Sequence, residues 1–175
     1  MRGLFSAIST CLLAVTIKAN ADTREIGEVL NVALPATAIY FAVKEDGNEG
    51  IVQFLKSAVV AELVTEGLKT AIDKERPNGS CCTAFPSGHA TRAFYAATYI
   101  HERYGGKKGI AALALATVVA YTRVESDRHD VADVVGGAAV GYLAARYFTS
   151  PKVRVGVSNF NTEDGFGVTM TFDLD

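Results

Sequence analysis

Residues 86–106, PSGHATRAFYAATYIHERYGG, read as one punctuated helix. Ser87 is a good N-cap behind Pro86, the body runs to about Tyr104, and Gly105-Gly106 stops it. Such a start exposes unpaired N–H groups at Gly88 and His89, and a helix N-terminus binds anions through its donors and its dipole together. Ser87 and Gly88 are therefore candidates to hold phosphate oxygens, with His89 beside them. Alone, Pro-Ser-Gly is an ordinary turn; its neighbours in sequence give it meaning.

Downstream, Lys107 to about Arg123 is expected to form a fourth helix, and Asp127 with Asp130 to cap a fifth that continues to Phe148 and ends at Thr149-Ser150-Pro151. The stretch TRVESDRHDVAD at 122–133 puts Arg123 at one end of a short turn and His129 at the other. Asp133 follows one helical turn later, where its carboxylate can accept a bond from one imidazole nitrogen and leave the other free. Read alone, the pair is a weak helix-surface contact. Arg123 beside it favours a site.

Upstream, Asp22 with Glu25 is expected to cap a first helix to Val43, kinked or broken at Pro35, with KEDGNE at 44–49 as a turn. A second helix should start near Gly50, with Ile51, Leu55, Val59 and Leu63 at helical spacing, and stop near Arg76 before Pro77. That would place Lys69 and Arg76 on nearly one face, two turns apart, with Lys74 a bystander favouring the helix dipole. The loop PNGSCCTAFP at 77–86 has no apolar period. His101 is expected on solvent, and GGAAVG at 136–141 to permit close helix packing. From 151 the period changes: Val153, Val155 and Val157 alternate with polar residues, as do Phe166 to Leu174, which predicts a C-terminal β-hairpin. The expected fold class is all-α, a bundle of about five helices over 22–150 with a short hairpin extension over 151–175.

The chain has 175 residues, enough for one domain of ordinary core size. Residues 1–21 have the pattern of an export signal, with Arg2, an uncharged run from Gly3 to Ile17, and Ala19-Asn20-Ala21 as a cleavage site; an uncleaved anchor is the alternative. The whole chain has 17 basic and 19 acidic residues, net −2, and loss of Arg2 and Lys18 leaves 15 against 19, or −4. A mildly acidic chain is a poor nucleic-acid binder. Cys81 and Cys82 are adjacent, so free thiols and an intermolecular bridge are both open. The uncharged runs Val29–Val43 and Gly109–Thr122 fall short of the roughly 18 residues of a spanning helix, and Lys56, Glu62, Glu66 and Lys69 interrupt 51–69. These runs favour a soluble or membrane-surface bundle unless the charges face inward.

Together, Lys69, Arg76 and Pro77, then Pro86 to His89, then Arg123, His129 and Asp133 resemble the signature of the type 2 phosphatidic acid phosphatase and vanadium haloperoxidase superfamily. Thr122 stands where that pattern has Ser and keeps a hydroxyl. The resemblance implies an exported, periplasmic phosphatase that needs no metal or other cofactor. His129 would be the nucleophile, Asp133 its orienting acid and His89 the proton donor to the leaving oxygen. Lys69, Arg76, Arg123 and the amides at Ser87 and Gly88 would bind the phosphate. The implied substrate is a phosphorylated lipid, such as phosphatidate, a prenyl diphosphate or lipid A, or else a soluble phosphate ester. A vanadate-dependent peroxidase and a non-enzymatic anion-binding scaffold are the competing readings.

Overall fold

The computed structural model describes residues 22–80 and 82–151, with the backbone of 153–158 and 167–172. The expected export signal, Cys81 and the turn expected between the two strands lie outside the described residues. The elements are α1 (Thr23–Phe41), a π-helical turn (Ala42–Asp46), α2 (Asn48–Ala71), α3 (Gly88–Tyr104), α4 (Gly106–Glu125), α5 (Val131–Phe148), β1 (Val153–Ser158) and β2 (Gly167–Phe172). The backbones of β1 and β2 pair antiparallel, with Val153 opposite Phe172. The fold assignment rests on the five helices, because the expected hairpin falls partly outside the described residues.

α3 is the central helix. It packs against all four others, and its small residues Ala90, Ala93, Ala96 and Ala97 are fully buried. Their absent side chains let neighbouring backbones approach. Phe54 of α2 meets Tyr95 and Tyr99 edge-on, with ring centroids 5.8 and 5.2 Å apart. At the C-terminal end of α3, buried Arg103 donates to Asp46 at 3.1 Å and to the Ser150 carbonyl at 3.0 Å. An ion pair this deeply buried needs such satisfaction.

Three helix boundaries differ from expectation. α1 runs unbroken through Pro35. α2 ends at Ala71, with Ile72 already extended at φ −115° and ψ 96°. Lys69 is thus on the helix while Arg76 belongs to the loop, so they do not share a helical face. α5 starts at Val131 under Asp130, and Asp127 instead takes a positive φ of 52° in the turn.

The orientation of α2 is also unexpected. Of the stripe at helical spacing, Ile51 packs against the core, but Leu55, Val59 and Leu63 are 50%, 56% and 68% exposed, while Gly50, Phe54, Ser57, Ala61 and Thr65 face inward. Close packing on α3 needs small residues, and all of these but Phe54 meet it. GGAAVG behaves as expected: a Cβ on Gly136 would strike the Phe85 ring, on Gly137 the Ser87 carbonyl, and on Gly141 the Thr91 carbonyl. Those glycines let α5 lie directly against the start of α3. His101 is half-buried: Gly109 at the start of α4 packs over it, and its buried Nδ1 has no partner among the described residues.

Candidate active site

The three phrases meet at one end of the bundle. Ser87 is fully buried; its Oγ faces the Ala90 amide at 3.5 Å, and Thr91 N–H closes the first intrahelical bond to the Ser87 carbonyl. The Ser87 amide donates to the Asp133 carbonyl at 2.9 Å. It is committed to joining α3 and α5, which corrects the expectation that it holds phosphate. Gly88 and His89 lie in the first turn, where helix amides have no intrahelical acceptor. A Cβ on Gly88 would be 3.3 Å from Lys69 Nζ, so the ammonium of Lys69 reaches this helix start. Lys69 also bonds Glu66 at 2.7 Å.

The turn after α4 is held by its own backbone. The amides of Arg128 and His129 both donate to the Arg123 carbonyl, at 3.1 and 3.2 Å, and the Asn78 amide donates to Asp127. Thr122 is buried, and its Oγ1 accepts from Arg123 Nε at 3.3 Å. The hydroxyl expected at this position therefore helps to aim the guanidinium.

His129 is 6% exposed, and its Nδ1 lies 3.5 Å from Asp133 Oδ2. This is beyond a good hydrogen bond, and catalytic bonds of this kind commonly tighten only with substrate present. Nδ1 is buried on the side of Asp133, and the His129 side chain is part of the cavity lining. Burial pushes the His129 imidazole below its ordinary pKa, while the Asp133 charge opposes that shift and Arg76 adds to it. Burial likewise pushes His89 down, while Glu28 pulls it back.

Arg24, Glu28, Arg76, His89, Arg123, Arg128 and His129 line a cavity of about 90 Å³. At roughly 15 Å³ per water-sized occupant, it has room for a small polyatomic group such as a phosphoryl group. Arg76 Nε is buried without a partner among the described residues. Of the expected site residues, Arg76, Arg123, His89 and His129 line the cavity. Asp133 lies behind His129; Lys69, Ser87 and Gly88 are not in the cavity lining, and Lys69 Nζ comes close to Gly88 at the start of α3.

Sequence reading missed four residues here. Glu28 joins His89 Nε2 at 2.8 Å to Arg123 Nη1 at 2.9 Å, so α1 supplies a carboxylate that bridges two of the expected site residues. Gly27 permits this, since a Cβ there would collide with Thr122 Oγ1. Arg24 and Arg128 add two cations to the lining. Lys74 is no bystander: its Nζ donates to Asp130 Oδ2 and Asp133 Oδ1, each at 2.6 Å. Local spacing signalled none of these. Cys82 is disulfide-bonded, so the free-thiol reading does not hold for it.

The profile of the PAP2 superfamily matches residues 50–153. The lipid A 4'-phosphatase of Helicobacter pylori is 31% identical over 137 residues, covering 72% of this chain and 69% of that protein. The lipid A 1-phosphatase of Porphyromonas gingivalis is 37% identical over 92 residues, covering 51% of this chain but only 20% of that protein. The crystal structure of the first transmembrane PAP2 type phosphatidylglycerolphosphate phosphatase from Bacillus subtilis shares the fold, with a TM-score of 0.51 over 85% of this chain and 94% of that one at 20% identity. The family match covers all three phrases, and with the site they assemble it shows that this chain belongs to the PAP2 superfamily, the group of type 2 phosphatidic acid phosphatases.

Proposed function

We propose that this chain is a lipid phosphatase that cleaves a phosphate monoester through a phosphohistidine on His129. The observation that carries this reading is the imidazole itself, buried with Nδ1 on the side of Asp133 and lining a small cavity together with four arginines. Nε2 attacks phosphorus while the ester P–O bond breaks, and His89 gives its proton to the leaving oxygen. Water then attacks the phosphohistidine, His89 takes a proton from that water, and phosphate leaves with His129 restored. Arg76, Arg123 and Lys69 stabilise the charge on the equatorial oxygens, with the Gly88 and His89 amides as further donors. This cationic inventory supports a mechanism without a divalent metal.

A lipid substrate is supported by the two lipid A phosphatase relatives and by the outer surface. Val29, Val32, Ile39 and Val43 of the α1 segment, the outward stripe of α2, Ile110 and Val118 of α4, and Val135, Leu143 and Tyr147 of α5 are all exposed. Water disfavours an apolar surface this extensive, and a bilayer accepts it. The helical segment Thr23–Asp46 is long and apolar enough to cross a membrane. On this reading the protein is exported and bilayer-bound, the cavity takes the phosphate, and the lipid body stays outside.

The test is phosphate release from phosphatidate, a prenyl diphosphate and lipid A in mixed micelles, beside a soluble phosphate ester, with and without chelator. Lipid turnover indifferent to chelator supports the reading. Turnover of the soluble ester alone removes the lipid assignment, and restoration by magnesium or zinc removes the metal-free one.

A further inference from the structure

The carboxylate behind His129 has more to do than orient an imidazole. Asp133 is fully buried, and Asp130, its capping-box partner, begins the same helix. Asp133 N–H donates to Asp130 Oδ1 at 3.0 Å, and Asp130 N–H donates to Asp133 Oδ2 at 3.1 Å. Two carboxylates thus face each other at the start of α5. A buried carboxylate without a compensating charge takes up a proton or turns toward another donor. Either outcome would end its hold on Nδ1.

Lys74 stands between the two acids, 2.6 Å from each, and reaches them from a segment 56 and 59 residues away in sequence. Its main chain is fixed as well. Lys74 bridges Thr83 in parallel, and the Ala84 amide donates to the Lys74 carbonyl at 3.0 Å. The ammonium therefore arrives from a pinned backbone rather than from a free loop. It occupies Oδ1 of Asp133, so Oδ2 is the oxygen left for the imidazole and the Asp130 amide. The bonds to the two acids raise the Lys74 pKa, and the bond from Lys74 lowers that of Asp130, so these two groups hold each other charged beside Asp133.

We propose that Lys74 is a positioning residue for this site: by holding Asp133 through Oδ1 it directs Oδ2 to Nδ1 of His129 and so fixes which imidazole nitrogen faces the phosphoryl group. The proposal rests on His129 being the nucleophile. Lys74 does not line the cavity, so it acts through Asp133 and not on substrate.

The test compares Lys74→Met, Lys74→Arg and the double variant Lys74→Met with Asp130→Asn, all in the full chain. The double variant restores the net charge of the cluster that Lys74→Met alone upsets. Lys74→Met should lower kcat by roughly 10- to 100-fold, the cost usual when the group behind a functional ligand is lost, with KM nearly unchanged. Lys74→Arg should keep most of the rate. The double variant should regain the melting temperature but not kcat; regaining wild-type kcat would make Lys74 merely a charge balance for the helix cap and overturn the proposal. Should Lys74→Met not fold, the double variant carries the comparison. A second arm reads the His129 imidazole by nitrogen-15 NMR, without reference to turnover. Loss of the single tautomer in the double variant supports positioning, and an unchanged tautomer overturns it. If His129→Ala retains activity, the nucleophile assignment fails, while the NMR arm still reports on Lys74.

Discussion

At the residue scale, Glu28 is the most informative departure from the family signature, because it lies outside the matched residues 50–153 and yet touches two site residues. Its carboxylate competes with substrate for His89 and Arg123. Glu28→Gln should lower KM for a phosphate ester by roughly 2- to 5-fold, the value of a half-exposed ion pair. Its effect on pH has a definite sign. Glu28 raises the His89 pKa in the free protein, and His89 must carry a proton to donate it, so without that charge the alkaline limb of kcat/KM moves to lower pH. A limb that stays in place would separate Glu28 from the proton donor. The convergence of Arg76, His89, Arg123 and His129 on one cavity was legible in the sequence, because each belongs to a phrase with its own local logic. Glu28, Arg24 and Lys74 were not legible, since only tertiary packing brings them to their partners. The Ser87 amide was misassigned for the same reason, its acceptor lying on α5.

At the scale of elements, the five helices followed from capping residues, glycine stops and apolar period, and the errors fell at their ends. Pro77 marks where a helix must have stopped, not where it does; α2 ends at Ala71. Apolar spacing also identified a helix without saying which side was buried. On α2 Leu55, Val59 and Leu63 face out, while Phe54 and the small residues Ala61 and Thr65 face inward. The contact that most directly builds the site is α5 on the start of α3. A methyl at Gly137 would meet the Ser87 carbonyl, a backbone atom that cannot swing aside. Gly137→Ala should therefore cost about 1–3 kcal/mol in chemical unfolding and lower kcat by separating His129 from His89. Wild-type stability and rate would show that this approach is not what holds the site.

At the scale of the whole molecule, the all-α class was legible. Charges counted along 51–69 argued against the bilayer; in the fold Glu62 bonds Arg92 of α3 at 2.7 Å, while Lys56 and Glu66 are exposed beside the outward Leu55, Val59 and Leu63. The protein should resist carbonate extraction from membranes and need detergent to remain monodisperse; release into the aqueous fraction would contradict the bilayer placement. The central claim is the covalent intermediate. It is tested by mixing enzyme with phosphorus-32-labelled phosphatidate, quenching in alkali, where phosphohistidine survives, and mapping the label by mass spectrometry. The account expects one labelled peptide carrying phosphate on His129, absent in His129→Ala. Turnover without label, or label on another residue, would contradict it.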